Sequence, residues 1–277
     1  MTRERARLGR QRPGSGRVLR ILRDAAAGAP PPADGDVEVL PALPGPVDAV
    51  LGFTAHSIVV ADIDPAAVHR RLPPGDLGAP LEAPFLAWLA DQLGAAPGSL
   101  DVVLAAPGLA LPEPRHPGEG PLAGCGSPAP APGSPAPTLP DELGLADPAV
   151  SELPGPGGLT LRSRPDLAGH PRVARAARYR AGIRVLADDR ERCVLLVGRG
   201  LAGRWELAFE VEPSRRNQGL GRGLAAAARG LVPAGEPLFA QVAPGNAASL
   251  RAVLAGGFRP VGSEVLFLRP AGTRPHR

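Results

Sequence analysis

The residues with the clearest chemical potential lie between 216 and 223. Arg216-Asn217-Gln218-Gly219-Leu220-Gly221-Arg222-Gly223 follows a segment of period-two alternation, Trp205 to Val211, and leads into the helical run Leu224-Ala225-Ala226-Ala227-Ala228-Arg229. Glycines without a Cβ let the backbone come close to a ligand. The unpaired amides that open a helix, with the helix dipole behind them, suit a diphosphate. Arg216 and Arg222 can add positive charge. The competing reading is an ordinary tight turn ahead of a helix.

Other features point to different chemistry and are weaker on context. Gly198-Arg199-Gly200-Leu201-Ala202-Gly203 fits GxGxxG after a strand-like segment. A dinucleotide fingerprint needs a helix to open at the last glycine, whereas here a strand begins at Trp205, so the turn reads as a glycine-rich hairpin connection. Cys125 and Cys193 are the two cysteines. They offer neither a disulfide framework nor the paired spacing of a zinc site, and no metal is expected. Cys125 has nothing nearby to lower its pKa and reads as a bystander thiol. His56, between two apolar runs, reads as a structural histidine or as one that reaches a cleft.

The elements that must position the turn can be read along the chain. Residues 1–44 begin with a run of arginines, hold a short helical stretch from Arg17 to Arg23 and continue into proline-rich sequence, which reads as a basic flexible tail. Residues 45–108 give two extended segments (49–54 and 57–61), helices at 65–72 and 84–94, and a buried strand from Asp101 to Ala106, a small α/β unit that either completes one domain with the later strands or stands as a second unit. Residues 109–157 are Pro/Ala/Gly/Ser tracts, read as a disordered linker or insertion. Order returns over 158–277: strands at 159–163, 183–187, 193–197, 205–211 and 238–242, and helices at 171–180, 224–229 and after Asn246. The fold class expected is mixed α/β.

Composition narrows the setting. With 36 glycines, 36 prolines and 3% aromatic residues, the core must be built from Ala, Val and Leu. All 31 basic residues are arginine, the mark of a GC-rich, bacterial genome, and the net charge is only +4. Neither an aromatic-interleaved basic strand nor a helix-turn-helix pattern supports nucleic-acid binding. No signal-peptide core and no continuous apolar span of about 20 residues appear, so a cytoplasmic protein without a membrane partner is expected. Oligomeric state is not legible.

Val211-Glu212-Pro213 followed by Arg216-x-x-Gly219-x-Gly221 resembles the strand exit and acetyl-CoA loop of the GNAT acyltransferases. The likeness continues through the strand Leu238 to Val242 and a helix opening at Asn246-Ala247-Ala248-Ser249 and ending at Gly256-Gly257-Phe258. The resemblance implies a central mixed sheet flanked by helices. It also implies acetyl-CoA as cosubstrate and transfer of acetyl to a primary amine on a small molecule or protein, with non-catalytic acyl-CoA binding as the alternative. Val211 and the loop Arg216, Gln218, Gly219, Leu220, Gly221, Arg222 and Gly223 would hold the pantetheine and pyrophosphate, and Asn246 and Ser249 would contact CoA. The strands ending at Val211 and Val242 would splay apart to admit the pantetheine arm. Direct transfer needs a proton acceptor, since an ammonium has no lone pair. Alternation puts Glu206 and Glu210 on one strand face; each reads as that base, with a pKa raised by a partly desolvated cleft, or as an ion-pair partner of arginines such as Arg184 or Arg204. Where many members carry a tyrosine to protonate the leaving thiolate, this sequence has Val253, and its one tyrosine, Tyr179, lies far upstream.

Overall fold

The computed structural model describes residues 13–110 and 152–270, with side chains from residue 16 onward. Its frame is a mixed sheet of β1 (Val37–Leu40), β2 (Val47–Phe53), β3 (His56–Val60), β4 (Ala96–Pro107), β5 (Glu152–Pro154), β6 (Thr160–Ser163), β7 (Ala181–Ala187), β8 (Cys193–Arg199), β9 (Trp205–Val211), β10 (Pro237–Val242) and β11 (Arg259–Leu268). The spatial order is β1-β3-β2-β11-β4-β10-β9-β8-β7-β6-β5. The β1/β3 and β9/β10 pairs are parallel and the others antiparallel.

Strand alternation sends side chains to two buried faces, each covered by helices. On one face Leu238, Ala240 and Val242 of β10 meet Leu220 and Leu224 of α5 (Leu220–Ala228) and Val253 of α6 (Ala247–Ala255). Farther along that face, Val265 and Phe267 of β11 receive α2 (Pro65–Arg71) and α3 (Ala83–Leu93) through Val68, Phe85 and Leu89. On the other face, Phe239 and Val103 pack with Val18 and Leu22 of α1 (Pro13–Ala26), and Leu196 and Ala208 pack with Val173 of α4 (Pro171–Ala177). The close approach of α5 to α6 depends on glycine: a Cβ on Gly256 would lie 2.7 Å from that of Ala225, and one on Gly221 would lie 3.2 Å from that of Ala252.

The structure bears on the expected organisation in three places. The first 44 residues are not all a flexible tail. Val18, Leu22 and Ala25 recur at i, i+4 and i+7, so α1 has an apolar stripe, and β1 adds an edge strand. Second, of the two arrangements open for 45–108, the structure has the one in which it shares a sheet with the later strands. Its last strand, β4, lies between β10 and β11, pairing with Val102↔Val242 on one side and Ser263↔Val102 on the other. One sheet therefore joins both halves. Third, β5 and a turn at Pro156–Gly158 belong to the sheet and its covering, although they fall within the expected linker. Residues 111–151 of that linker, Cys125 included, lie outside the described residues.

Candidate functional site

The parallel β9/β10 pair is registered at two positions only, Leu238↔Trp205 and Phe239↔Glu206. Beyond them β9 stays paired with β8 as far as Cys193↔Val211, and β10 stays paired with β4 as far as Val242↔Val102. Each strand keeps its outer neighbour while the two leave one another, so the sheet opens between them. A cavity of about 380 Å³ occupies this opening, lined by residues from both sheet faces: Glu206, Ala208 and Gln241 on one, Leu207, Phe209 and Val253 on the other.

A second recess of about 790 Å³ continues from the first, sharing Arg172, Phe209, Asn246 and Ser249 with it. It runs along the turn before α5 and is lined by Val211, Arg216, Gln218, Gly219, Leu220, Gly221 and Arg222. Two left-handed residues shape that turn, Asn217 at φ 61° and Gly219 at φ 78°. Glycine adopts this conformation freely and asparagine tolerates it better than most residues. Gly219 caps α5 without a side-chain hydrogen bond, so the amides of the first turn are not satisfied within the helix and face a recess carrying Arg215, Arg216, Arg222 and Arg251. Arg216 is tethered by its Nε, which donates to the Val211 carbonyl at 3.2 Å. Gly223 departs from its expected role. Its amide donates to Gly219 O within the helix, and a Cβ there would fall 2.1 Å from Pro156 Cβ, so this glycine serves packing and does not line the recess.

Of the two readings open for Glu206, base or ion-pair partner, the structure has the ion pair. It is buried, and its Oε1 accepts from Arg204 Nε at 2.8 Å and from the Leu201 amide at 3.3 Å, while Oε2 accepts from Arg180 Nε at 2.7 Å. Arg204, itself fully buried, also donates Nη2 to both oxygens of Glu264 at 2.7 Å. Burial pushes the Glu206 carboxyl up, but Arg204 and Arg180 outweigh it and hold the group below the usual glutamate range. The raised pKa expected of a base is therefore absent. The glycine turn at 198–203 has its explanation here: a Cβ on Gly200 would sit 2.1 Å from Glu206 Cδ, so the hairpin closes on this carboxylate only because residue 200 lacks a side chain.

Glu210 is half-exposed beside Arg172, with Arg172 Nε 3.5 Å from its Oε2. Asn246 Oδ1 accepts from the Ser249 amide at 3.2 Å, capping α6, and both residues line the two recesses. Val253 is buried against the cavity and offers no hydroxyl. Tyr179, just after α4, lines the same cavity, a placement the sequence gives no sign of because it depends on how α4 crosses the sheet. Asp101 of β4 lines it too. His56 lies elsewhere, its Nδ1 2.9 Å from Asp34 Oδ1. Cys193 is buried and free, and burial raises its thiol to about 11, which leaves it inert at neutral pH. Among the described residues no His/Cys/Asp/Glu group is suited to a metal, and no helix is long and apolar enough to cross a membrane.

Fold and site together define a mixed α/β chain whose sheet is opened between two parallel strands, with amides and arginines at one end of an elongated recess. No protein-family model matches the chain, and no curated protein does. Among solved structures, a GCN5-related N-acetyltransferase from Kribbella flavida is similar at 17% identity and a TM-score of 0.34, over 68% of this chain and 64% of that one. A likeness this distant fixes neither family nor activity.

Proposed function

We propose that the chain is an N-acyltransferase that moves acetyl from acetyl-CoA to a primary amine of a small molecule or protein, by direct attack in a ternary complex. The observation that carries this reading is the parting of β9 and β10 after Phe239↔Glu206, with a recess leading from the opening to the amides and arginines before α5. Helix-start amides and guanidinium groups suit phosphates. Strand edges released from pairing present backbone groups that a pantetheine arm can satisfy, since its amides need the same partners a strand does. Val211, Gln218, Gly219, Leu220, Gly221, Arg216 and Arg222 would hold the diphosphate end, with Asn246 and Ser249 where the two recesses meet.

The cavity opens toward both faces of the sheet, so a thioester entering from the α5/α6 face can be met by an amine from the α4 face. The chain's residues would align the two reactants, exclude water from the thioester and take a proton from the amine. A second reading, acyl-CoA binding without turnover, is favoured by the ion-paired state of Glu206 and by Val253. Calorimetric titration with acetyl-CoA, followed by thiol release across a panel of amines, tests both. Binding with amine-dependent CoA release supports transfer, saturable binding with no release across the panel supports the second reading, and no binding removes both.

A further inference from the structure

Among the described residues the carboxylates lining the cavity are Asp101 and Glu206. Glu206 has its two oxygens engaged by two guanidinium groups and an amide, and a carboxylate so stabilised is a poor proton acceptor. Asp101 stands differently. It is partly buried, and its hydrogen bond comes from Ser99 Oγ to Oδ1 at 2.8 Å, which leaves Oδ2 for a substrate.

The sheet register sets where Asp101 lies. β4 pairs with β10 only as far as Val102↔Val242, so Asp101 is the first residue of β4 beyond the end of β10. From there back to Ala96, β4 pairs with β11 alone, through Asp101↔Glu264, Leu100↔Val265, Pro97↔Phe267 and Ala96↔Leu268. This overhang, with Gly98, Ser99 and Asp101, walls the cavity opposite Arg175 and Tyr179. By alternation Asp101 shares a face with Val103, and Val103 is in register with Gln241, so Asp101 is on the α4 side, away from the turn before α5. Gln241 lines the same cavity; its Oε1 accepts from Arg180, while its buried Nε2 has no hydrogen-bond partner among the described residues and can donate to a substrate oxygen.

We infer that Asp101, on a strand supplied by the first half of the chain, takes the proton from the acceptor amine in the acyl transfer proposed above. The inference rests on that reading. The ammonium proton passes to Asp101 Oδ2, and the freed nitrogen attacks the thioester carbonyl carbon. The C–N bond forms as the C–S bond breaks. The second amine proton, released as the amide forms, ends on the leaving sulfur, and the first passes from Asp101 to water. Burial holds the Asp101 carboxyl above its usual range, with the Ser99 hydroxyl and the Arg175 charge pulling down, which brings it closer to the range a base needs. The charged groups around it are Arg175, Glu264 in register on β11, and Arg180, Arg172 and Glu206 around the cavity, with Tyr179 as the neighbouring phenol.

The test uses the full-length chain and its Asp101→Asn and Asp101→Glu variants, each measured for acetyl-CoA affinity, for kcat/KM toward the best amine of the panel, and for rate against pH. Asp101→Asn should bind acetyl-CoA within about twofold of the parent but lose about 10²–10⁴ in kcat/KM, the range general-base catalysis supplies, and its profile should lose the acid limb. Asp101→Glu should recover part of the rate with the limb restored. A parent that transfers acetyl while Asp101→Asn keeps its rate and acid limb overturns the role of Asp101 alone. A parent that binds acetyl-CoA and transfers to no amine overturns the transfer reading and this one with it.

Discussion

Glu206 on β9 stands in register with Phe239 on β10, and it is the last residue of its strand to do so. The point at which the sheet opens is therefore also the point at which a buried ion-pair network begins, since Glu206 is held by Arg180 and Arg204, and Arg204 in turn by Glu264. The network ties the β8–β9 hairpin, Arg180 between α4 and β7, and strand β11 together at the base of the cleft. It acts as an anchor for an opening that would otherwise weaken the sheet.

Glu206→Gln should therefore destabilise the fold strongly. Arg204 is fully buried, and breaking one partner out of a buried pair costs about 3–5 kcal/mol. Chemical denaturation monitored by circular dichroism measures this directly. The pH dependence has a definite sign: a folded pKa held below the unfolded one means that the Glu206 contribution is complete above the ordinary glutamate range and is lost as pH falls through the folded value. Denaturation midpoints should fall on acidification in the parent, and more shallowly in Glu206→Gln.

Gly200→Ala probes the same anchor from the other side. The new methyl would fall 2.1 Å from Glu206 Cδ, in a place where neither hairpin nor carboxylate can move without breaking an ion pair. Overpacking of this kind costs about 1–3 kcal/mol, read as a lowered denaturation midpoint. If GxGxxG here were a nucleotide fingerprint, the same variant would change affinity for NAD while leaving stability alone.

Two variants address the turn. Gly219→Val places a β-branched residue at φ 78°, a conformation that costs L-residues roughly 1–2 kcal/mol, and puts a side chain where the backbone should approach the diphosphate. Arg216→Ala removes a cation from the recess, and a hydrogen bond involving a charged group contributes about 1.5–3 kcal/mol. Each should weaken acetyl-CoA binding by about tenfold or more, the equivalent of 1.4 kcal/mol, with the Arg216→Ala effect shrinking as salt is raised. Titration calorimetry at two ionic strengths is the measurement.

Leu22→Ala tests whether the first 44 residues belong to the core. Leu22 is 1% exposed and packs among Leu43, Val47 and Phe239. Loss of a buried leucine side chain costs about 2–5 kcal/mol, whereas the same change in a mobile tail would leave the denaturation curve in place.

What could be read in the sequence was local. The alternation of Trp205 to Val211, the turn before α5 and the asparagine that caps α6 each depend on neighbours within a few residues; the strand and the asparagine fall where their patterns put them, while the helix after the turn opens four residues early, at Leu220 instead of Leu224. What could not be read was long-range. That β4 slots between β10 and β11 depends on strands 140 and 161 residues along the chain from Val102, and nothing in Asp101-Val102-Val103-Leu104 names its partners. β11 was obscured by Pro260 and Gly262, which sit at a register shift opposite β4. Glu206 was legible in part: alternation placed it on the cleft face and Arg204, two residues away, was a visible partner, but Arg180 reaches it through a separate element that no local pattern names. Tyr179 and Asp101 became site residues only when two distant segments closed on one opening.

The central claim is that the parted strands and the turn before α5 form an acyl-CoA site, and calorimetric titration of the full-length chain with acetyl-CoA tests it most directly. The prediction is one saturable site per chain, with a Kd near the micromolar level or tighter, about −8 kcal/mol or better, that weakens in Gly219→Val and Arg216→Ala. Absence of saturable binding in the folded parent, or binding untouched by both variants, would contradict it.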